Sequence, residues 1–169
     1  MSFEQVLAST FRMTDDVWAR HANPWSVWTR FSCLPLLALS IWSRAWIGGW
    51  AWVPVVLTLL WAWGNPRAFA RPESTDNWAS RAVLGERVWL NRGSVPIPAH
   101  HQVVVRVLNS LTAVGMAIGI FGLVYLRPYE TAAGVILAML LKGWFLDRMV
   151  WLYDEMRTAN STYRAWLYD

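Results

Sequence analysis

Residues 107–126, VLNSLTAVGMAIGIFGLVYL, form an uncharged apolar run as long as a helix needs to cross a bilayer. Similar windows lie at 31–43, 46–64 and 131–146, and nearly all the charge lies between them. A soluble domain of 169 residues cannot bury four such windows and still cover itself with polar surface. With 56% hydrophobic and 15% charged residues, the sequence predicts an all-α integral membrane protein with four transmembrane helices.

Cap and turn residues set the expected boundaries of these spans. Asn23-Pro24 is a good N-cap and first-turn pair, Gly48 and Gly49 permit a tight return, and Pro54 should kink the second span. A re-entrant hairpin over 25–64 is the alternative to the first two spans. We expect a single membrane domain, 1–169, with spans at about 25–43, 47–64, 103–126 and 131–151, a cytoplasmic loop at 65–102 and a cytoplasmic tail at 152–169.

Amphipathic helices are expected on the inner surface of the membrane. In residues 2–11 the apolar side chains recur at helical spacing, which is typical of a helix lying at the interface. Thr14 before Asp15 and Asp16 predicts the start of a second short helix, and residues 77–91 predict a third. The last span should continue as a helix beyond the membrane, since only Gly143 interrupts 135–157.

The distribution of basic residues predicts the orientation. Thirteen of the fifteen lie on the side that holds both termini and the 65–102 loop, and the other two are Arg44 and Arg127. This places both termini in the cytoplasm, in a bacterial inner (plasma) membrane. It also explains the net charge of +4 without nucleic acid as a partner. Residues 1–18 lack the features of a signal peptide, and the lone Cys33 excludes an intrachain disulfide.

The fourteen tryptophans are typical of aromatic belts at the two interfaces. Four lie near the outer interface and ten near the inner one, so an aromatic pocket on the inner side is the alternative. Such a pocket could hold a cationic headgroup or a flat apolar ligand. The candidate binding residues are Trp25, Trp78, Trp89, Trp144, Trp151 and Asp154, while Gly115 and Gly119 form a small-xxx-small pattern for close helix packing.

Three polar residues are candidates for a catalytic or metal site. Asp147 lies on one helix face with Asp154, and Glu86 falls within an apolar face of the predicted 77–91 helix. The simpler interpretation pairs these carboxylates with Arg81, Arg87, Arg20 or Arg30. In the functional interpretation, Asp147, Glu86 and His21 converge. His21 alone is typical of a hydrogen-bonded structural histidine. The adjacent His100 and His101 point about 100° apart on a helix, so we interpret them as interfacial residues unable to chelate one ion comfortably.

No zinc-protease, Cys-x-x-Cys, phosphate-loop or nucleophile-elbow motif occurs in the sequence. The favoured hypothesis is therefore an accessory or scaffold subunit of a larger membrane complex. It would contact membrane lipids and either another membrane protein or a second copy, with bound lipid or pigment. The alternative is a membrane-surface enzyme acting on a lipid or isoprenoid with a carboxylate and histidine site and a divalent metal. A transporter or channel is disfavoured because the spans hold almost no charge at depth.

Three segments carry a resemblance to a known family: His21-Ala22-Asn23-Pro24-Trp25-Ser26, Val83-Leu84-Gly85-Glu86-Arg87 and Asp147-Arg148-Met149-Val150-Trp151-Leu152-Tyr153. Together they resemble an uncharacterised family of small, Trp-rich, multi-pass membrane proteins of bacteria and haloarchaea, a domain of unknown function. The resemblance covers about 15–157. It implies no activity, substrate or cofactor.

Overall fold

The computed structural model describes residues 13–169, and all regular structure within that range is helical. The predicted all-α class is therefore confirmed, while the helix predicted at 2–11 lies outside the described residues. In chain order the elements are α1 (Asp15–His21), α2 (Pro24–Arg30), α3 (Cys33–Trp42), α4 (Arg44–Ile47), a 3-10 helix (Gly48–Ala51), α5 (Trp52–Ala68), α6 (Trp78–Leu90), α7 (Ala99–Val124), α8 (Pro128–Ala159) and α9 (Ser161–Arg164).

The chain divides into two compact units. The hairpin unit comprises Thr29–Trp63 and Val104–Phe145, and it contains most of the apolar windows. The charged unit comprises Gly64–Val103, Leu146–Asp169 and the described part of Met1–Trp28, and it contains most of the charged residues. Two helical stretches, Pro24–Ala68 and Ala99–Val124, are long and apolar enough to cross a membrane.

The first of these stretches folds back on itself. Ser40 Oγ and Thr58 Oγ1 lie 3.2 Å apart although 18 residues separate them. In a continuous helix the same separation would span about 27 Å at 1.5 Å per residue. Helices α3 and α5 therefore form a hairpin within the hairpin unit, and the return is made at Gly48, whose φ of 54° is the left-handed conformation that glycine favours.

Two prolines shape this hairpin differently from the sequence-based expectation. The predicted span at 25–43 is interrupted at Phe31 and Ser32, because Pro35 cannot donate to the carbonyl of Phe31 and its ring crowds that turn. Ser32 bonds instead to the carbonyl of Thr29, with N–O and Oγ–O distances of 3.1 and 2.6 Å. Pro54 lies in the first turn of α5, where the missing N–H breaks no hydrogen bond within the helix. It therefore gives no cause for the kink that was expected there.

Helices α7 and α8 approach each other closely through glycines in the hairpin unit. A Cβ added at Gly134 would lie 2.2 Å from the backbone nitrogen of Gly119, and one at Gly115 would lie 3.2 Å from that of Ala138. The close approach therefore occurs at the predicted small-xxx-small pattern. Leu126 makes the turn between the two helices with a φ of 54°.

The charged unit is built around a similar close crossing of α6 and α8. A Cβ at Gly85 would lie 1.9 Å from the backbone oxygen of Met149, so the two helices meet at backbone contact. Met149, Leu152 and Tyr153 of α8 are fully buried, as are Ala82 and Val88 of α6. Burial of these side chains supplies the main stabilisation of this unit.

Both predicted helix caps, Thr14 and Asn23, are present in the charged unit, and Asn77 adds a cap that was not predicted. The Thr14 hydroxyl accepts from Val17 N at 3.4 Å, Asn23 Oδ1 from Trp25 N at 2.9 Å, and Asn77 Oδ1 from Ser80 N at 2.9 Å. Helix α8 continues to Ala159 as expected. The loop expected at 65–102 is shorter at both ends, because α5 includes Asn65-Pro66 and α7 begins at Ala99, directly after Pro98.

Candidate functional site

His21 belongs to a buried chain of hydrogen bonds in the charged unit. Its Nδ1 lies 2.8 Å from Ser26 Oγ, and the Ser26 hydroxyl donates to Asn65 Oδ1 at 3.1 Å. Because the Ser26 hydroxyl donates its proton to Asn65, it can only accept from His21. His21 Nδ1 therefore carries a proton and donates to Ser26 Oγ. All three residues are buried. His21 is thus a hydrogen-bonded histidine that ties the end of α1 to α2 and α5.

Asp147 lies within an exposed group of aromatic residues. Trp78 Nε1 donates to Asp147 Oδ1 at 3.4 Å, and the Trp78 ring stacks on Trp28 with centroids 5.5 Å apart. Arg148 Nη2 lies 3.8 Å from Asp147 Oδ2, and its guanidinium lies over the Trp151 ring at 4.2 Å. We name Trp28, Trp78, Asp147, Arg148 and Trp151 the aromatic surface.

The guanidinium of Arg148 does not use its full hydrogen-bonding capacity. Arg148 Nε is buried and has no hydrogen-bond partner, and the ion pair of Arg148 with Asp147 is long, at 3.8 Å. More than half of the side-chain surface is exposed at Trp28 and Trp151. Aromatic rings beside a guanidinium suit an anionic group carried on an apolar molecule.

Asp154 is an ion-pairing residue, as the simpler interpretation predicts. Its carboxylate lies 3.5 Å from Arg81 Nη1 and 2.9 Å from Arg157 Nε. Arg81 also pairs with Asp76, and this hydrogen bond is the main reason that the pKa of Arg81 is raised. Asp147, by contrast, pairs with its neighbour Arg148 on α8.

The remaining candidates lie in different surroundings. Glu86 is half-buried on α6. Trp89 is buried beneath the guanidinium of Arg92, at 4.2 Å, while Trp25 and Trp144 are exposed by more than half. Among residues 13–169, the side chains at metal-ligand spacing are those of His100, His101 and Glu155. The convergence of His21, Glu86 and Asp147 stays a prediction.

His100 and His101 converge on one carboxylate oxygen, Oε2 of Glu155. The Nε2 atoms of His100 and His101 lie 3.3 and 2.9 Å from it, respectively. The hydrogen bond with His101 is the main reason that the pKa of Glu155 is lowered. The two rings therefore meet at one acceptor atom, although we expected adjacent helical histidines to point about 100° apart. Their Cβ atoms diverge, but in the first turn of α7 the rings turn together, with centroids 4.2 Å apart.

Sequence reasoning missed this cluster for a definite reason. Glu155 follows His101 by 54 residues, and no spacing rule connects the start of α7 with the distant part of α8. The one available signal was the His-His pair directly after Pro96 and Pro98, at the start of a helix.

The comparisons with known proteins identify a family and no activity. No curated protein and no solved structure matches the chain. One family of unknown function, DUF6653, matches residues 2–166, nearly the whole sequence, and this confirms the resemblance to an uncharacterised family. The chain therefore belongs to the family of unknown function DUF6653.

Proposed function

We propose that this protein is a four-span membrane protein of the bacterial inner membrane with both termini in the cytoplasm. The folding back of the first apolar stretch, marked by the Ser40–Thr58 hydrogen bond, supports two spans where one long helix would supply only one. The exterior of the hairpin unit is apolar, with Leu39, Leu57 and Leu140 each more than 60% exposed. A bilayer accounts for that exposure, since monomers in water rarely expose large contiguous apolar surfaces.

We further propose that the protein acts as an accessory or scaffold subunit of a larger membrane complex and binds an anionic lipid at the aromatic surface. The observation that carries this proposal is the stacked Trp28–Trp78 pair beside Arg148, whose buried Nε is unpaired. Indole rings favour the interface between headgroups and acyl chains, and a guanidinium binds phosphate through charge-assisted hydrogen bonds. Together these groups match a phospholipid better than an uncharged pigment.

Native mass spectrometry of the protein, extracted gently from its own membrane, tests both parts. The expected result is a larger assembly with phospholipid bound to this subunit. Arg148→Gln should reduce the bound lipid about tenfold, since the loss of one charged hydrogen bond is worth roughly 1.5 kcal/mol. Arg164→Gln, which removes an exposed arginine outside the aromatic surface, is the control. A lone monomer without lipid would contradict the proposal.

The second candidate is a membrane-surface enzyme acting on a lipid or isoprenoid. The observation that favours it is the convergence of His100, His101 and Glu155, because two imidazoles and one carboxylate are the protein ligands of several hydrolytic metal sites. Release of product from lipid substrates by metal-loaded protein, abolished by Glu155→Gln, would favour this role over the accessory role.

A further inference from the structure

We propose that His100, His101 and Glu155 form a binding site for one divalent transition-metal ion of the zinc type. The two histidine Nε2 atoms and one carboxylate oxygen lie within 4.8 Å of one another. This proposal is separate from the accessory role: the residues belong to α7 and α8 and share no member with the aromatic surface.

Two of the three distances between these atoms match those of a metal site. Two ligands that each bind zinc at about 2.0–2.1 Å in tetrahedral geometry lie about 3.3 Å apart. The distance from His100 Nε2 to Glu155 Oε2 is 3.3 Å, and from His101 Nε2 it is 2.9 Å. The two histidine nitrogens lie within 4.8 Å of each other, so a bound ion would draw them closer together, and the exposed His100 ring can make that movement.

The donor set also suits such an ion chemically. Both imidazoles present Nε2, the atom that must be free of a proton to bind a metal. In the metal-free arrangement, a proton on His101 Nε2 bridges to Glu155, and the cation would replace it. A harder ion such as Mg²⁺ prefers oxygen ligands, so the two nitrogens select a transition metal.

Burial divides the site into a fixed and an open part. His101 is 5% exposed and is held by its packing, whereas His100 and Glu155 are 65% and 48% exposed. Three protein ligands leave at least one coordination position, and the exposed side can supply water or another molecule to it. Because the N-terminal end of α7 carries partial positive charge, it favours the ionised form of Glu155 but opposes a cation. The predicted affinity is therefore lower than that of a closed four-ligand zinc site.

The test is binding of Zn²⁺ and Co²⁺ to the full chain in detergent, purified without a polyhistidine tag. Competition with a chromophoric chelator gives the Zn²⁺ affinity, and the visible absorption of Co²⁺ reports its coordination. We compare the wild type with His100→Ala and Glu155→Gln; the glutamine retains an acceptor for His101. The control, Glu73→Gln, changes an exposed acid outside the cluster.

The expected result is one Zn²⁺ per chain, with affinity about a hundredfold lower or more in each cluster variant and unchanged in Glu73→Gln. Zn²⁺ should also raise the unfolding temperature of the wild type but not that of Glu155→Gln, and a cooperative metal-free unfolding transition of Glu155→Gln shows that the variant is folded. The proposal is overturned if the wild type binds no Zn²⁺, or if either cluster variant binds it as tightly as the wild type.

Discussion

Gly85 of α6 faces the backbone carbonyl of Met149 in α8 so closely that a Cβ at Gly85 would lie 1.9 Å from the oxygen. Only a residue without a side chain permits this crossing. The contact fixes α6 against the part of α8 that carries Asp147, Arg148 and Tyr153. The position of the aromatic surface therefore depends on one glycine.

Gly85→Ala is expected to destabilise the protein by about 3 kcal/mol or more, because the methyl group displaces backbone rather than a flexible side chain. The matched control is Gly64→Ala in α5, where an added Cβ meets nothing within 4 Å. That change should leave stability unaltered or raise it by up to about 1 kcal/mol, the gain in helix propensity. Denaturant unfolding followed by tryptophan fluorescence measures both; equal stabilities would contradict the crossing.

A second glycine pair makes the same test in the hairpin unit. Gly134→Ala places a Cβ 2.2 Å from the nitrogen of Gly119 and should separate α7 from α8, again with a loss of about 1–3 kcal/mol. Gly143→Ala lies on the same helix with nothing within 4 Å and serves as the control. If Gly134→Ala and Gly143→Ala have the same free energy of unfolding, the close approach of α7 and α8 at Gly134 is contradicted.

The hydrogen bond between Ser40 and Thr58 should show coupling in a double-mutant cycle. The Thr58 hydroxyl already donates to the carbonyl of Pro54 at 2.8 Å, so Ser40 is the donor to Thr58. We expect Ser40→Ala and Thr58→Ala to couple by about 0.6 kcal/mol, the usual size for such bonds between membrane helices. A cycle of Ser40→Ala with Thr112→Ala should be additive, since the Thr112 hydroxyl bonds to Leu108 in its own helix.

Tyr153 makes stability depend on pH in the alkaline range. Its buried hydroxyl donates to the carbonyl of Tyr163 at 2.9 Å, and burial raises its pKa from 10.0 to about 12. Below pH 10 the phenol is neutral in both the folded and the unfolded state. Above it, only the unfolded state ionises, so stability falls until the folded pKa is reached.

Tyr153→Phe should therefore lessen the loss of stability between pH 10 and 12. At neutral pH the variant should be about 1–2 kcal/mol less stable, because the carbonyl of Tyr163 loses its partner. Chemical unfolding across this pH range measures both effects, with the exposed Tyr129→Phe as control. An unchanged alkaline dependence in Tyr153→Phe would contradict the assignment.

Local chemistry allowed much of the fold to be predicted from sequence. Thr14 and Asn23 cap helices because their side chains bond only two or three residues ahead, which a sequence pattern displays directly. The spacing of Gly115 and Gly119 is likewise visible in the sequence, and it indicates where α7 approaches α8 closely. The break at Phe31–Ser32 follows from Pro35, a signal that the expected span at 25–43 does not take into account.

Features that depend on long-range contact could not be predicted. Gly85 contacts Met149, and His101 contacts Glu155. In both cases the two residues lie far apart in sequence, and the residues around one give no indication of the other. Asp147 illustrates the same limit, since its contacts with Trp78 and Arg148 were not predicted.

The most direct test of the central claim, four spans with both termini inside, is labelling of single cysteines by a membrane-impermeant maleimide. In a Cys33→Ser background, the sites are Gly49→Cys and Tyr129→Cys in the two short returns, and Glu73→Cys and Asp169→Cys in the loop and at the C-terminus. We predict that intact cells label at 49 and 129, and that 73 and 169 label only after permeabilisation. Labelling of 49 and 73 from the same side would contradict the four-span arrangement.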